Sequence, residues 1–340
     1  MKSDTPLVSV LMPVYNAEKF LSIAIESILT QTFVNFELMI INDGSTDSSE
    51  KIILSYRDIR IKYLINSENR GLIHSLNLGI SNSRGKYLAR IDADDIAHSH
   101  RLEKQVAFME SHPDYGMCGT LYQVIDPYGK VLNDVNLPLS EVDTKTSINF
   151  SNCFCHSTMM IRTALAEQLK YQKEYYLIED YELWYNISRV SKICNLPIHS
   201  TYYRIHGSNI SIEKKEQMLD QLHKMNARIL QDLNIEFTNE QLKLHTNLLA
   251  YNYAYFQNAA SIGPAEFWIL KVYHHLKNNS AFNNRIIANL FINRWLAICF
   301  NTKRYRSIFS WKLLINFRWE YLKCLTGKLT RPENWSSSLN

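Results

Sequence analysis

Three carboxylates stand close together in Arg90-Ile91-Asp92-Ala93-Asp94-Asp95, directly after the apolar run Tyr87-Leu88-Ala89. Carboxylates at the end of a buried strand repel one another and lose hydration, so we expect a cation there. Residues two apart face the same way in an extended segment, which predicts that Asp92 and Asp94 converge while Asp95 points elsewhere. Such oxygen ligands suit Mg²⁺ or Mn²⁺, which complete their shells with substrate phosphates. A solvated acidic turn that caps the next helix is the alternative.

Three similar apolar runs that end in polar residues stand earlier in the chain, and the run around Tyr87-Leu88-Ala89 is the fourth. They predict strands at 7–14, 36–41, 61–65 and 86–91, separated by helices at about 16–32, from about 47, and at about 72–82. This β-α-β alternation with short polar turns is typical of an open doubly wound α/β sheet flanked by helices. Ligands of such sheets bind beyond the carboxyl ends of the strands. We therefore expect the polar clusters at the four strand ends to surround one crevice.

Two of these clusters also predict how helices begin. Asn16 is expected to cap the first helix, with Glu18 in its first turn. Asp47 precedes Glu50 by three residues, a spacing that predicts a capping box for the second helix.

The crevice offers groups that suit a nucleotide carrying a diphosphate. Tyr15 can stack on a base or merely pack the first turn, and Asp43 can bond a base or a ribose hydroxyl. The chain has no G-x-G-x-x-G after its first strand and no G-x-x-x-x-G-K-[ST], so a dinucleotide fold and a P-loop are not supported.

These motifs, with Arg101-Leu102-Glu103-Lys104-Gln105 after them, resemble the nucleotide-sugar-binding half of a family 2 glycosyltransferase of the GT-A fold. The resemblance implies that Asp43 contacts the nucleobase, that Asp92 lies near the ribose, and that Asp94 holds the divalent ion. The family's usual Asp-Asp-Gly-Ser is Asn42-Asp43-Gly44-Ser45 here, which leaves only the role of position 42 open. The residues we assign to the nucleotide-sugar are Pro13, Tyr15, Asn16, Glu18, Asp43, Ser45, Asn69, Arg70, Gly71, Arg90, Asp92, Ala93, Asp94 and Arg204.

A second chemical centre follows short strands predicted at 116–125 and 131–135. Asp180, preceded by Glu179, stands where helical spacing begins, so its carboxylate can cap the free N–H groups. The resemblance gives Asp180 the role of catalytic base, with Glu179 beside it. Both roles are compatible, but a carboxylate that caps a helix has a lowered pKa and is a weaker base.

Further on, strand alternation puts Arg204 and His206 on one face. The resemblance implies that this segment closes over the diphosphate, with His206 as a further metal ligand and Arg204 as a phosphate partner; structural roles are the alternative. His156 is either a site residue beside the crevice or a hydrogen-bonded structural histidine.

Length and composition describe a folded protein with more than one region. The chain has 340 residues, of which 46% are hydrophobic and 21% charged, and no run reaches the ~20 apolar residues of a membrane span. Its start has no apolar signal core, so we expect a cytoplasmic protein.

We predict a catalytic domain at 1–212, divided into a nucleotide-sugar half (1–112) and an acceptor half (113–212), and a helical region at 213–340.

The last region is basic and aromatic. From Gly263 onward twelve Lys and Arg stand against three Asp and Glu, a balance of +9 that leaves −5 for the rest. Basic residues interleaved with large aromatic rings suit an anionic membrane surface, so we expect peripheral contact with the inner face of the cell membrane. A helical domain that packs on the catalytic one and a homodimer interface are the alternatives. Nucleic acid is not expected, because no recognised binding module is present.

The function that follows is a Mn²⁺- or Mg²⁺-dependent, inverting glycosyltransferase that moves a hexosyl or N-acetylhexosaminyl group. Its expected donor is a UDP-sugar and its acceptor a glycan or a lipid-linked glycan in polysaccharide biosynthesis. A sugar nucleotidyltransferase and a non-catalytic nucleotide-binding partner in glycan assembly are the alternatives. The first would need a Gly-rich, basic loop after the first strand, which Pro13-Val14-Tyr15-Asn16 does not provide.

Overall fold

A computed structural model describes residues 5–207, 214–304, 307–308, 310 and 312–317 of the chain. It separates into two compact units: the first contains residues up to Thr144 and from Asn152 to 207, and the second contains Lys145–Ser151 and the residues from 214 onward. The functional division of the chain at 112 and 212 stays a prediction.

The first unit is built on one nine-stranded sheet with helices. Its strands are β1 (Val8–Val14), β2 (Phe36–Asn42), β3 (Ile61–Ile65), β4 (Tyr87–Arg90), β5 (Ile96–Ala97), β6 (Tyr115–Ile125), β7 (Val131–Val135), β8 (Met160–Arg162) and β9 (Lys192–Arg204). Its helices are α1 (Leu21–Leu29), α2 (Ser49–Ser55), α3 (Leu72–Asn82), α4 (Arg101–Ser111), α5 (Glu141–Ser147, which runs into the second unit), α6 (Thr163–Leu169) and α7 (Glu179–Val190).

The strand order confirms the predicted mixed α/β sheet. Strands β3, β2, β1 and β4 pair in parallel in that order, as a doubly wound sheet requires. The sheet then continues through β8, β6, β9 and β5, where antiparallel pairs join the parallel pair of β6 and β9. Because β8 lies beside β4, the second half of the chain is attached directly to the strand that ends at the acidic cluster.

Burial explains why the first strands form. All seven residues of β1 and all seven of β2 are buried, and Leu21 and Ile25 of α1 pack in the same core. Burying one such aliphatic side chain contributes roughly 1.5–3 kcal/mol, so continuous apolar runs favour strands covered on both faces.

Both predicted helix caps are wrong. The first helix begins at Leu21, and Asn16, with a φ of 49°, uses its side-chain oxygen to accept from the Thr46 backbone N–H at 2.8 Å. Asp47 makes no capping box; its carboxylate accepts from the backbone N–H groups of Glu18 and Ser49. Asn16 and Asp47 each bond across to the other loop, and spacing along the chain does not reveal these bonds; the local bond of Asp47 goes to the Ser49 N–H and forms no capping box.

The second unit is helical, as predicted. It contains α8 (Lys215–Asp232), α9 (Asn239–Leu249), α10 (Ile262–Leu276), α11 (Asn284–Asn301) and a helical segment at 312–317. The segment Lys145–Ser151 belongs to it, since Thr146 accepts a hydrogen bond from the Asn283 backbone and Phe150 packs edge-on against Phe291.

Several aromatic residues of this unit lie in its interior. Trp268, Phe291 and Trp295 are at most 1% exposed, so they form a core and are not rings presented to a membrane surface. Tyr305, Phe309, Trp311, Trp319 and Tyr321, which also belong to the region predicted to be basic and aromatic, lie outside the described residues. No helix among the residues described is both long and apolar enough to cross a membrane.

A buried carboxylate near the start of β2 links β2 to β1 and to the segment before β4. Glu37 is 2% exposed and accepts hydrogen bonds from the Ser9 hydroxyl at 2.6 Å and from the Arg84 backbone at 2.9 Å, and it pairs with the Arg84 guanidinium at 2.8 Å. Burial alone raises the pKa of Glu37, but these bonds outweigh it and the pKa lies below its ordinary value.

We predict that Glu37→Gln lowers the free energy of unfolding by about 1–3 kcal/mol at pH 7, because the amide replaces a paired carboxylate. The lowered pKa means that this stabilisation is present above the unfolded-state pKa and is lost as pH falls through the folded-state pKa. Urea unfolding at several pH values should therefore show the gap between wild type and variant closing at acid pH. Glu167→Gln, at an exposed site, is the matched control. An equal gap at all pH values would contradict the prediction.

Candidate functional site

The acidic cluster lies immediately beyond β4. One side-chain oxygen from each of Asp92, Asp94 and Asp95 lies within 4.8 Å of the others. The prediction that Asp95 points elsewhere is wrong, because the strand ends at Arg90 and the next residues form a turn in which the Asp95 N–H donates to the Asp92 carbonyl at 3.3 Å. The turn removes the strand alternation on which that prediction rested.

Both carboxylate oxygens of Asp92 have protein partners. The buried guanidinium of Arg90 binds both of its oxygens, and the Ser157 hydroxyl bonds the same carboxylate at 3.1 Å. Burial lowers the pKa of Arg90, but the Asp92 charge outweighs burial and the pKa rises. Arg90 therefore acts as the fixed cation of the cluster and is not a free group at its edge.

Asp95 leaves part of the cluster's charge uncompensated. It is 1% exposed, one oxygen accepts from the Arg204 backbone N–H at 2.8 Å, and the other has no hydrogen-bond partner among the residues described. Burial and the charges of Asp94 and Asp92 raise its pKa well above the ordinary value. Oxygen donors with unbalanced negative charge fit a hard divalent cation. The residues present thus fit the predicted metal.

Asp94 is joined to the end of β9. His206 Nε2 lies 2.9 Å from an Asp94 carboxylate oxygen, and the imidazole stacks on Phe20. Arg204 donates to the main-chain carbonyls of Asp94, Asp126 and Pro127, and its guanidinium lies over the Phe20 ring. His206 thus lies where a metal ligand is predicted, while Arg204 ties two loops together.

Asp43 holds the loop after β3. It is 4% exposed; one oxygen accepts from the Asn66 side chain and the Arg70 N–H, and the other accepts from the Gly71 N–H at 2.8 Å. Asn42, whose role the sequence left open, bonds the Tyr63 hydroxyl and the Ser45 N–H. These two neighbours therefore fix the two loops that border the crevice.

Gly44 allows these loops to approach closely. Its φ is +69°, and a Cβ at this position would lie 2.5 Å from the Glu68 carbonyl carbon. A larger residue would be strained by its backbone and would also collide with the main chain.

The remaining predicted nucleotide-sugar residues differ in their exposure. Tyr15 is 50% exposed and Arg70 is exposed, so both are open to a ligand. Ser45 accepts from the Asn16 N–H, Glu18 from the Ser48 N–H, and Asn69 from the Gly71 N–H, so these side chains hold loops. Pro13 is buried within β1, and Ala93 is 8% exposed between the two cluster carboxylates.

The second predicted centre lies at the first residues of α7. The Asn152 amide donates to Asp180 at 2.8 Å, and the Tyr181 N–H donates to its other oxygen at 2.6 Å. Burial still dominates and raises the pKa of Asp180; Arg90 and Asp92 are near enough to act on it. Burial and then the Asp180 charge raise the pKa of Glu179 to about 7, and one Glu179 oxygen has no partner in the described part of the chain.

Sequence reasoning missed two groups that lie between these centres. Tyr171 is 2% exposed, its hydroxyl lies 2.8 Å from His156 Nε2, and both Arg90 and Asp180 act on its pKa. Ser157 bonds both Arg90 and Asp92. His156 is a hydrogen-bonded, largely buried histidine whose pKa burial lowers. Neither Tyr171 nor Ser157 stands in a recognisable pattern, since each reaches the site only through tertiary contacts.

Comparison with known proteins identifies the family of this chain. The profile of the family described as "Glycosyl transferase family 2" matches residues 9–169. An uncharacterized glycosyltransferase of Haemophilus influenzae is 36% identical over 220 residues, which cover 61% of this chain and 68% of that protein. WfaP of Escherichia coli, named as a UDP-Glc:alpha-D-GlcNAc-diphosphoundecaprenol beta-1,3-glucosyltransferase, is 29% identical over 216 residues, 63% of this chain and 84% of that protein.

Solved structures share the fold at low sequence identity. TarS residues 1–349 of S. aureus, solved with UDP-GlcNAc, has a TM-score of 0.57 at 17% identity and covers 94% of this chain and 92% of its own. The mannosyltransferase PcManGT of Pyrobaculum calidifontis, solved with GDP-Man and Mn²⁺, has a TM-score of 0.55 at 15% identity, covering 97% and 89%. With the fold, the family profile and the sequence relatives in agreement, this chain belongs to glycosyltransferase family 2.

Proposed function

We propose that the protein is a metal-dependent, inverting glycosyltransferase that moves a sugar from a UDP-sugar to a glycan or a lipid-linked glycan. The observation that carries the proposal is the crowding of three carboxylates beyond β4, within electrostatic reach of the acidic pair on α7. The three carboxylates beyond β4 suit the diphosphate of the donor, and the acidic pair on α7 suits the hydroxyl of the acceptor. Family membership disfavours the nucleotidyltransferase and the non-catalytic partner.

The donor and acceptor are proposed from the relatives. WfaP is named for a UDP-glucose donor and an acceptor carried on diphosphoundecaprenol, and TarS was solved with UDP-GlcNAc. The name of WfaP is the support for a UDP-sugar, with a hexosyl or N-acetylhexosaminyl group as the one transferred; PcManGT, of the same fold, was solved with GDP-Man, so the fold alone does not fix the nucleotide.

Asp94 and Asp92 would hold the cation, Mn²⁺ or Mg²⁺, with His206 as a further ligand. Asp95, which the sequence did not assign, adds a buried carboxylate beside them. When bound, the ion supplies a Lewis acid that offsets charge on the leaving diphosphate.

Asp180 is proposed to accept the proton of the acceptor hydroxyl. Asn152 and the Tyr181 N–H orient its carboxylate, and its raised pKa brings it nearer the value that a general base needs at neutral pH. Attack by that hydroxyl in a single in-line displacement inverts the anomeric centre. Glu179, which is buried and adjacent, is proposed to tune the charge of Asp180.

We also propose that the chain contacts a membrane surface, and this proposal depends on charge alone. The rings buried in the second unit do not support it, so it depends on the region's net charge of +9. The full chain should sediment with anionic vesicles at low salt and be released at high salt. Failure to sediment would remove the proposed location at the inner face of the membrane.

We predict that Asp94→Asn weakens Mn²⁺ binding at least about tenfold, because a ligand oxygen and a charge are lost together. Titration of Mn²⁺ by electron paramagnetic resonance measures this without any turnover. Asp134→Asn, which alters an exposed carboxylate on β7, should bind Mn²⁺ like the wild type. Equal affinity in all three proteins would remove Asp94 from the metal site.

We predict that Asp180→Asn lowers sugar transfer about 10²–10⁴-fold while UDP binding is retained, because only the proton acceptor is lost. Transfer is followed by UDP release with an acceptor, and binding by calorimetry with UDP. The control is Glu174→Gln, an exposed carboxylate shortly before α7. Unchanged transfer in Asp180→Asn would exclude this residue from the mechanism.

The pH profile of transfer separates the roles of Asp180 and Glu179. Transfer should fall as pH decreases, because the coupled pair gains a proton. Glu179→Gln removes a negative neighbour, so Asp180 loses its proton more easily and the acid limb of kcat/KM should move to lower pH. A limb that stays in place or moves to higher pH would show that Glu179 does not act on the base.

A further inference from the structure

A cleft of about 340 Å³ lies within the second unit, on the surface formed by α9, the turns around Tyr255–Ser261, and α10. Its size falls in the range of small-molecule sites, roughly 300–1,000 Å³. The side chains that matter for its chemistry are Glu240, Gln241, Tyr255, Asn258, Ser261 and Phe267. None of them belongs to the site described above.

The cleft presents an aromatic ring that is not packed in the core. Phe267 is 65% exposed, although its neighbours on α10, Trp268 and Ile269, are at most 1% exposed. Leaving a Phe side chain in water forgoes roughly 1.5–3 kcal/mol of burial. Tyr255, which also lines the cleft, is partly exposed and has the Lys243 ammonium 6.0 Å from its ring centroid. Two rings at one cleft therefore offer apolar faces to a ligand.

The same cleft holds polar groups whose hydrogen-bonding capacity is not used up. The Glu240 carboxylate is exposed and makes no bond to protein within the described ranges. The side-chain oxygen of Gln241 accepts a hydrogen bond from the Thr238 N–H, and the side-chain oxygen of Asn258 accepts one from the Ala260 N–H. The two amide NH₂ groups are thus left as donors, beside a carboxylate that accepts.

We propose that this cleft binds a saccharide, a one- or two-sugar stretch of a glycan. A pyranose combines an apolar C–H face, which stacks on an aromatic ring, with adjacent hydroxyls that bond carboxylate and carboxamide groups. A free acyl chain would leave Glu240, Gln241 and Asn258 unsatisfied. An anionic headgroup would be repelled by the Glu240 carboxylate, a repulsion that the Lys243 ammonium beside Tyr255 offsets only in part. The chemistry of the cleft therefore favours a neutral sugar over a lipid.

This proposal rests on the proposed function, because a glycan-extending enzyme gains from a second hold on its acceptor. Two attachment points on one chain raise the effective concentration of the acceptor without strengthening either contact. The cleft would then act on retention of the glycan and would take no part in the chemistry.

The test uses the full chain and the disaccharides lactose, cellobiose and N,N′-diacetylchitobiose, followed by saturation-transfer NMR and titration. At least one disaccharide should bind the wild type, and Phe267→Ala should weaken that binding about tenfold, the upper end of an aromatic contact. Glu240→Gln should weaken it as well. Ile59→Ala, an exposed apolar position of the first unit, is the control and should bind normally.

Three results would overturn the proposal: no binding by the wild type, binding that persists in both variants, or loss of vesicle sedimentation in Phe267→Ala with sugar binding intact. The last would identify the ring as a lipid contact. Donor hydrolysis, measured in parallel as Mn²⁺-dependent release of UDP from UDP-sugars, is expected to be unchanged by Phe267→Ala. If the wild type binds sugars but hydrolyses no UDP-sugar, the proposed function fails and the cleft stands.

Discussion

Repulsion between three carboxylates at the end of β4 is the constraint around which the first unit is arranged. Like charges within 4.8 Å cannot all stay ionised in a poorly hydrated site without positive groups nearby. Arg90 supplies one such group from the strand itself, and the end of β9 supplies the Arg204 N–H and His206. The order of the sheet matters here, because β9 must return beside the β4 turn for these contacts to form.

Several residues that the family resemblance assigns to the ligand also have structural roles. Asp43 accepts three hydrogen bonds from the loop after β3, and Arg204 donates to three main-chain carbonyls. A loop held this way needs little reordering when a ligand arrives, which lowers the entropic cost of binding. Structural and binding roles are therefore compatible at Asp43, and substitutions there combine both effects.

The pattern of apolar residues along the sequence predicts the strands and helices whose formation depends on local burial. The runs of β1 and β2 identify parallel strands because every residue is buried, and α3 begins just after Gly71, as expected. The bond that Asn16 makes to Thr46, the contact of Asp95 with Arg204 and the contacts of Tyr171 and Ser157 join residues 15 to 109 positions apart, so spacing does not reveal them. The aromatic residues of the last region show the same limit, since composition does not distinguish the core of a helical unit from a membrane-facing surface.

Two opposing influences act on the basicity of Asp180. At the start of a helix its carboxylate accepts from a backbone N–H, which by itself would lower its pKa and weaken it as a base. Burial and the charge of Asp92 act in the opposite direction, and the pKa is raised. The helix terminus therefore orients the carboxylate, and the buried, negative surroundings supply its basicity. Geometry and basicity come from different parts of the fold, so neither the bond from the Tyr181 N–H alone nor the acidic cluster alone accounts for a base at this position.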